Sequence, residues 1–338
     1  MRASAEALAV RGTPVAVLAA RVDDDELDLA GVRVIHSPAL TDTGLPAADR
    51  VRAARALAPD VIHVHQIEDD DLVEALQTIA PVLMSAHAYT ACTSGHHYFR
   101  PGQECMRAHG PGCIPRLPGC GHTRHPRTLP RRYLAAGRGL AALRAADVVI
   151  SYSTAIDRHL QINGVAAREI VPLFPTTTPV GSGGGGAPSV LFAGRLVAAK
   201  GAAVLIRSAR EFDAEVVICG EGRDRDALGR LADRLGIAAR VRFAGWLDGR
   251  ALSEELARAS VVAVPSVWPE PFGLVGIEGL AAARAVVGSA TGGIPDWLED
   301  GVSGLAVPPG DPAALARAIA RLLGDPDLRR ALGEQGRQ

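Results

Sequence analysis

The sequence is poor in lysine, in aromatic residues and in long apolar runs. Of its 36 basic residues, 35 are arginine and one is lysine, Lys200, and aromatic residues make up 4% of the chain. Arg, Asp or Gly interrupts every apolar stretch before it reaches the ~18 residues that a membrane-spanning helix needs. The first residues, MRASAEALAVRG, lack the long apolar centre of a signal peptide. We therefore expect neither a membrane span nor an export signal.

Composition excludes several classes of protein. With 338 residues, 48% of them hydrophobic, and a net charge of −1, the chain is neither disordered nor a general binder of polyanions. Its length suits two domains, each with a core of its own. Five cysteines without an export signal favour a reducing cytoplasm, where metal ligation or reduced thiols are expected more often than disulfides.

The first part of the chain alternates short apolar strands with helices. Strands are predicted in TPVAVLAAR, GVRVIHSP, DVIHVHQ and PVLMSAH, and helices over residues 3–10, 47–57, 70–79 and 133–145. This alternation predicts an α/β fold with a parallel, doubly wound sheet. Such a unit normally begins with a strand, whereas this chain begins with a predicted helix. We therefore expect the first domain to lack its first strand, with the Gly-rich turn that would follow it.

Residues 92–132 interrupt the alternation with a Cys- and His-rich insertion. It contains five histidines, many Gly and Pro, and four cysteines, Cys92, Cys105, Cys113 and Cys120. A loop of this length is uncommon without an ion or a function. The four thiolates could form a closed structural zinc site, although no pair has the C-x-x-C spacing. Reduced thiols explain the same cysteines equally well, and disulfides are the third alternative.

The insertion and the helix after it are strongly basic. Between His96 and Arg144 there are nine arginines and one acidic residue, Glu104. A solvated surface explains this pattern, and so does a docking surface for an anionic acceptor or an acidic lipid headgroup. The second explanation would place the protein peripherally at the inner face of a membrane. Nucleic acid is not an expected partner, because aromatics are sparse here and no nucleic-acid-binding motif is present.

A change of composition divides the chain into two domains. Residues 1–175 form the predicted first domain, and the Gly-rich stretch 176–188, TTTPVGSGGGGAP, is typical of a flexible linker. A second alternating unit then occupies residues 189–338, with strands in SVLFAGRL, EVVICGEG, VRFAGW, VVAVPSVW and AVVGSA. Two such domains predict a ligand site in the cleft between them.

The stretch VPSVWPEPFGLVGIEGLA contains two carboxylates around a predicted strand-to-helix turn. A buried strand is predicted over residues 261–264 and a helix from about Phe272, with Glu270 before the helix and Glu278 inside it. Gly273 allows a ligand to approach the first helical amides, which have no partner within the helix and attract anions. This arrangement is typical of a sugar-nucleotide site, where the diphosphate lies at the N-terminal end of the helix and the carboxylates accept hydrogen bonds from hydroxyl groups.

Other candidate residues carry weaker signals when each is taken alone. Arg195 and Lys200 flank the first strand-to-helix turn of the second domain and could converge on a diphosphate, although such residues are usually solvated. The GEG at residues 220–222 is explained by a tight turn. His63 and His65 share one face of their strand, and two histidines without nearby carboxylates make a poor metal site. Cys219 is most simply a core residue.

The order and spacing of these motifs are more specific than any one of them. Arg195 with Lys200, GEG, AGW, PSVWPEPFGLVGIEGLA and ATGGIPDWLEDGVSGLAVPPGD follow one another along residues 195–311. This series resembles the second domain of the retaining glycosyltransferases of family 4, the glycosyl transferases group 1. The resemblance covers residues 189–338 strongly and residues 1–175 more loosely. It implies a GT-B fold, in which two Rossmann-like domains face each other across a cleft.

The resemblance also implies roles for individual residues. Arg195 and Lys200 would bind the donor diphosphate, with the amides around Phe272, Gly273 and Leu274. Glu270 would accept hydrogen bonds from the hydroxyls of the donor sugar, and Glu278 from those of the ribose. Glu221 and Gly222 would lie near the nucleoside. His87 ends a buried strand, where a histidine is more often structural. It looks like the family's histidine near the transferred sugar, but Ala88 replaces the usual acidic neighbour.

The implied reaction transfers a sugar from a nucleoside-diphosphate sugar to an acceptor hydroxyl, with retention at the anomeric carbon. Cationic side chains and helix amides would stabilise the leaving diphosphate, so no metal is needed for catalysis. Two alternatives stay open, a catalytically impaired fragment that only binds sugar nucleotide, and a sugar-nucleotide epimerase of the same architecture. The donor base, the donor sugar and the acceptor are not encoded in these motifs.

Overall fold

The computed structural model describes residues 2–21, 29–65, 69–92, 98–100, 103–120, 128–175 and 187–338. The chain divides into two compact units. The first comprises Met1–Gly95, Met106–Ser151 and Asp157–Val171, and the second comprises His96–Cys105, Tyr152–Ile156 and Pro172–Gln338. The linker predicted over 176–188 lies largely outside the described residues.

The first unit is built on parallel strands with helices between them. Its strands are β1 (Ala16–Ala19), β2 (Arg33–His36), β3 (Ile62–His65), β4 (Val82–Ala86), β7 (Val148–Ser151) and β8 (Arg168–Ile170). Strands β1 and β2 pair with each other, and the other four form a sheet in the order β3-β4-β7-β8. Its helices are α1 (Arg2–Val10), α2 (Ala47–Arg50), α3 (Arg52–Leu57), α4 (Asp70–Gln77), α6 (Leu129–Ala145) and the part of α7 (Thr154–Ile162) that begins at Asp157.

Short elements occupy the insertion, which the sequence predicts as a loop. A two-stranded antiparallel pair joins β5 (Tyr98–Arg100) to β6 (Gln103–Glu104), and α5 (Leu117–Cys120) follows a 3₁₀ turn over Pro111–Arg116. The described parts of the predicted loop therefore contain short elements of secondary structure. Gly and Pro are compatible with such short turns, so their abundance alone does not separate a folded insertion from a loop.

The second unit is a six-stranded parallel sheet. Its strands are β9 (Ser189–Ala193), β10 (Glu215–Cys219), β11 (Val241–Gly245), β12 (Val261–Val264), β13 (Ala285–Ser289) and β14 (Gly304–Val307), in the order β11-β10-β9-β12-β13-β14. Its helices are α8 (Ala202–Ser208), α9 (Arg225–Arg234), α10 (Gly249–Arg258), α11 (Leu274–Ala281), α12 (Pro312–Gly324) and α13 (Pro326–Gly336). The strand order reverses between β9 and β12, and ligands of such sheets bind at this point, outside the carboxyl ends of the strands.

Alternating side chains of the central strands fill two cores, one on each face of this sheet. In β9, Val190 and Phe192 pack in one cluster and Leu191 in the other. Every residue of β12 is buried. A strand covered on both faces reads as a continuous apolar run, which is why VVAV predicts a buried strand correctly.

Most predicted elements are present, and the differences lie at their ends. The helix predicted over 47–57 is divided at Val51 into α2 and α3, and α6 begins at Leu129, four residues before its predicted start. Helix α11 begins at Leu274 rather than near Phe272, because Gly273 has a left-handed backbone with φ +90°. Within the described residues, no helix combines the length and apolarity that crossing a bilayer requires.

Candidate functional site

Two loops meet at the reversal of strand order in the second unit. The turn after β9 carries Lys200, and the loop after β12 carries Glu270. The Nζ atom of Lys200 donates to Oε1 of Glu270 at 2.7 Å and to Oε2 at 2.9 Å. The Glu270 side chain is 6% exposed and that of Lys200 is 23% exposed. The structure thus joins the only lysine of the chain to a buried carboxylate.

Two further donors hold the Glu270 carboxylate. Ser266 Oγ donates to Oε2 at 2.9 Å, and Trp268 Nε1 donates to the same oxygen at 3.0 Å. Both residues belong to the loop that contains Glu270, and both are buried. The Lys200 ammonium also lies 5.7 Å from the centre of the Trp268 ring, within the range of a cation–π contact. The burial of the charged pair is therefore compensated by hydrogen bonds, as such pairs require.

Backbone contacts between the two loops set the position of Lys200. Val267 donates its amide to the Ala199 carbonyl at 2.9 Å. Gly201, which follows Lys200, has φ +75°, and a Cβ atom at this position would lie 1.8 Å from the carbonyl oxygen of Pro265. Only glycine permits this approach without displacement of the backbone. The two loops therefore form one packed structure.

Helix α11 begins beside this pair without a side-chain cap. Its N-cap residue is Gly273, which has no side chain to accept a hydrogen bond from the first turn. Trp297 Nε1 donates to the Phe272 carbonyl at 2.6 Å, which anchors the entry to the helix. Leu274, the first helical residue, is 39% exposed. Glu278 lies one turn further along the same face and is buried.

The turns after β9 and β10 are joined in the same way. Leu196 donates its amide to the Glu221 carbonyl at 2.8 Å. A Cβ atom on Gly220 would lie 2.0 Å from the Gly194 carbonyl oxygen, and Gly220 has φ +130°. The GEG sequence is thus explained by a close turn, as expected. It brings Glu221 beside the turn of Arg195, and both of these side chains are exposed.

Three histidines cluster in the first unit. His63 and His65 share a face of β3 as predicted, with ring centres 4.2 Å apart. His87 follows β4, the neighbouring strand, and its Nε2 lies 2.8 Å from Nδ1 of His65. His63 Nε2 lies 2.8 Å from Ser85 Oγ. The sequence indicates the first pairing but not the bond between His65 and His87.

The environment of this cluster favours neutral rings. Desolvation, followed by the neighbouring His63 and His87, lowers the pKa of His65 to about 3. Desolvation is also the main cause of the lowered pKa values of His63 and His87. The three imidazoles are therefore uncharged at neutral pH, and each ring has one N–H donor and one acceptor nitrogen.

The core position predicted for Cys219 is confirmed, whereas the zinc site stays a prediction. Cys219 is 2% exposed in the core, and burial raises the pKa of its thiol to about 12. Among the described residues, no group of three or more His, Cys, Asp or Glu side chains is placed to hold a metal ion. Cys92, Cys105, Cys113 and Cys120 are not brought together as a ligand set in that part of the chain, and a structural zinc stays a prediction.

The sequence reasoning missed Ser266, Trp268 and Trp297. Each is part of a quoted motif, but none was given a role. Ser266 and Trp268 precede Glu270 by four and two residues in PSVWPE, and a donor-capable side chain so close to a buried carboxylate is the signal that indicates them. Trp297 is 25 residues from Phe272, so only the packing of the loop after β13 reveals its contact.

Comparisons with known proteins agree with this architecture. The fold matches sucrose-phosphate synthase from Thermosynechococcus elongatus with a TM-score of 0.73 and 23% identity, over 98% of this chain and 85% of that one. It matches HepE from Anabaena, in complex with UDP-glucose, with a TM-score of 0.69 and 19% identity, over 98% and 87% of the two chains. The protein is an α/β protein with the GT-B fold of these glycosyltransferase structures.

Part of the chain is similar in sequence to a known family. Residues 183–338 match the model of the glycosyl transferases group 1. D-inositol 3-phosphate glycosyltransferase from Corynebacterium jeikeium is 40% identical over 155 residues, 42% of this chain and 37% of that protein. Alpha-maltose-1-phosphate synthase from Mycobacterium tuberculosis is 29% identical over 308 residues, 78% of each chain. These matches make residues 183–338 of the chain similar in sequence to the glycosyl transferases group 1.

Coverage of the relatives is uneven. The chain spans 36–44% of the length of four curated relatives that it matches at 33–40% identity.

Proposed function

We propose that this protein is a retaining glycosyltransferase, which moves a sugar from a nucleoside-diphosphate sugar to an acceptor hydroxyl. The observation that carries the proposal is the Lys200–Glu270 pair at the reversal of strand order, beside the uncapped start of α11. A cation, a helix end and a carboxylate at one sheet edge match the chemistry of a sugar diphosphate.

Solved relatives support the choice of donor. HepE from Anabaena is described in complex with UDP and with UDP-glucose. HepE shares this fold, and the two complexes are 20% and 19% identical to this chain. By analogy, we propose a nucleoside-diphosphate sugar as the donor of this protein, with the base and the sugar left open.

In the proposed step, the bond between the anomeric carbon and the diphosphate oxygen breaks, and its electron pair leaves with the diphosphate. The acceptor oxygen forms the new bond on the same face, and its proton passes to the departing phosphate oxygen. Negative charge thus develops on the diphosphate. We propose that Arg195, Lys200 and the amides around Phe272, Gly273 and Leu274 stabilise it, so that catalysis needs no metal.

The geometry of the pair is compatible with both proposed roles. An ammonium has three protons, and two bonds to Glu270 leave one for a phosphate oxygen. Oε2 of Glu270 accepts from Lys200, Ser266 and Trp268, whereas Oε1 accepts from Lys200. A carboxylate offers about four lone-pair sites. Oε1 is therefore the oxygen with capacity for a sugar hydroxyl.

The remaining roles follow the family resemblance and stay proposals. Glu278 would accept from the ribose, Glu221 and Gly222 would lie near the nucleoside, and His87 near the transferred sugar. The division into domains at 1–175 and 189–338 is likewise proposed. So are an anionic or membrane-associated acceptor and a cytoplasmic location with peripheral attachment.

A donor screen followed by transfer assays tests the function. The thermal unfolding of the full chain is measured with UDP-, GDP- and ADP-sugars. The donor that raises Tm most is then incubated with candidate acceptors, with and without EDTA. We expect one donor class to raise Tm, and a product that keeps the donor's anomeric configuration by NMR in either condition. An inverted product, or loss of transfer with EDTA, contradicts the proposed mechanism. Binding without transfer to any acceptor favours the binding-only alternative, and isomerised donor without acceptor identifies an epimerase.

Two conservative variants test the roles of the carboxylates. Glu270→Gln should lower kcat and sugar selectivity. It weakens both the contact with Lys200 and the hydrogen bond that the carboxylate is proposed to accept from a hydroxyl of the donor sugar. Glu278→Gln should chiefly raise KM for the donor. Arg330→Ala, on the exposed face of α13, is the control and should change neither constant. Interchanged effects of the two Glu variants would overturn the assignment.

A further inference from the structure

The bond between His65 and His87 joins two different nitrogens of two neutral rings. His65 offers Nδ1 and His87 offers Nε2, at 2.8 Å. One of the two must donate a proton and the other must accept it. Each neutral imidazole carries one proton, so the position of the shared proton decides where the other ring nitrogens carry theirs.

This constraint leaves two states for the pair. If His65 donates from Nδ1, then Nε2 of His87 accepts, and the proton of His87 is on Nδ1. If His87 donates from Nε2, then Nδ1 of His65 accepts, and the proton of His65 is on Nε2. Both rings therefore carry the same tautomer, either both Nδ1–H or both Nε2–H. Nδ1 of His87 is a donor in the first state and an acceptor in the second.

We propose that His65 is a positioning residue, which sets the tautomer and orientation of His87 through this shared proton. The expected effect of His65 on activity rests on the proposed glycosyl transfer, because the family resemblance assigns His87 to the neighbourhood of the transferred sugar. The coupling of the two tautomers does not rest on it. A sugar hydroxyl both donates and accepts, so the tautomer of His87 decides which of the two it must do.

The surroundings support a fixed pair rather than a chance contact. The strands that carry the two histidines are parallel neighbours, and His65 lies opposite Ser85, so His87 follows directly at the carboxyl edge. The His65 ring lies between those of His63 and His87, with centres at 4.2 and 5.1 Å and ring planes tilted by 38° and 34°. His63 is held in turn by Ser85 at 2.8 Å. A charge on any of the three rings would repel a charge on its neighbours, and this favours the neutral, tautomer-coupled arrangement.

The tautomers can be read directly from the unmodified protein. Long-range ¹H–¹⁵N spectra of the full chain at pH 7 distinguish Nδ1–H, Nε2–H and doubly protonated imidazoles. The chain has ten histidines, and single His→Gln variants assign the signals. We expect His65 and His87 to be neutral and to show the same tautomer. Opposite tautomers, or a protonated ring in the pair at pH 7, would overturn the proposal without reference to any activity.

Two substitutions at position 65 give the matched test. Asn places a polar atom where Nδ1 of histidine lies, whereas Gln reaches towards the position of Nε2. Asn can still donate to or accept from Nε2 of His87, so His65→Asn should keep the wild-type tautomer ratio at His87, while His65→Gln should change that ratio. His36→Gln, at an exposed histidine bonded to the Ala20 carbonyl, is the control and should change no other histidine signal. A His87 tautomer that is identical in wild type, His65→Asn and His65→Gln would contradict the positioning role.

The kinetic readout separates this inference from the proposed function. In a transfer assay, His65→Gln should lower kcat by ~10-fold or more with little change in donor KM, since misplaced groups near reacting atoms are costly. His65→Asn should recover most of that loss. If the wild-type protein transfers no sugar, the proposed function fails and the NMR result still decides the histidine pair. If transfer occurs and both variants match wild type, the consequence for activity is wrong.

Discussion

At the scale of single residues, the central feature is the ion pair between Lys200 and Glu270. The carboxylate is nearly buried, and the ammonium is its nearest cation. Removal of one partner of a buried pair leaves an uncompensated charge, which usually costs about 3–5 kcal/mol, less where one partner is partly exposed as Lys200 is. A substitution at this site is therefore expected to change both stability and turnover, and the variants are chosen to measure the two effects separately.

Lys200→Ala should lower kcat by ~10²-fold or more, the size typical of losing one group that stabilises charge in a transition state. The variant should also unfold at lower denaturant concentration, because Glu270 keeps a buried charge. The double variant Lys200→Ala/Glu270→Gln should recover stability but not turnover. Steady-state kinetics and urea unfolding measure the two effects. Near-normal turnover in Lys200→Ala would remove the assigned role.

Trp268→Phe tests whether the surrounding donors position Glu270. The change keeps one six-membered aromatic ring and removes the pyrrole part of the indole, with the N–H that donates to Oε2, and a hydrogen bond to a charged group contributes about 1.5–3 kcal/mol. We expect lower stability and a kcat reduced by ~10-fold, with Ser266→Ala acting in the same direction. Ser208→Ala is the matched control, because that buried serine bonds the Leu205 carbonyl in α8. It should lower stability without changing kcat, and equal kcat in all three variants would contradict the idea.

At the scale of elements, the strand-to-helix turns of the second unit pack backbone against backbone. The turns after β9 and β12 touch at Gly201 and Pro265, and those after β9 and β10 touch at Gly194 and Gly220. These glycines therefore allow the turns that carry the candidate site to pack in direct backbone contact. This packing explains why GEG and AAKG occur at the ends of these strands.

Gly201→Ala should be strongly destabilising. The left-handed backbone alone costs about 1–2 kcal/mol for a residue with a Cβ atom, and the new atom would meet the Pro265 carbonyl. Donor binding should weaken as well, since Lys200 is the preceding residue. Gly249→Ala in α10, where a Cβ atom meets nothing within 4 Å, is the control and should be neutral or stabilising. Urea unfolding of both variants checks the prediction, and equal midpoints would contradict the contact.

At the scale of the whole molecule, the chain combines two α/β units with separate cores. Sequence patterns predict this organisation well, because buried parallel strands such as VVAV are continuous apolar runs. They predict element ends less well. The start of α11 depends on the backbone of Gly273, and the division of α2 from α3 at Val51 has no Gly or Pro to indicate it.

Stability should fall on acidification below pH 6.5 because of the histidine cluster. The folded-state pKa of His65 is about 3, below its ordinary value, so the unfolded chain binds more protons between these values. Acid therefore favours unfolding by at most about 1.4 kcal/mol per pH unit for this group, and the contribution disappears above pH 7. Urea unfolding of wild type and His65→Asn from pH 5 to 8 measures it. The wild-type curve should fall more steeply, and parallel curves would refute the prediction.

The sequence by itself determined the α/β architecture. Its composition shows the unique lysine, and its motifs show the paired glutamates and the order of the glycine-containing turns, to which the family resemblance adds the proposed donor roles. Only the tertiary structure decided which of them meet. Lys200 and Glu270 are 70 residues apart, and His65 and His87 are 22 apart. Each pair is joined because its two strands are parallel neighbours, with their carboxyl ends at one edge. Neighbourhood in a sheet follows from strand order, which depends on how the whole unit buries its apolar faces and not on local sequence.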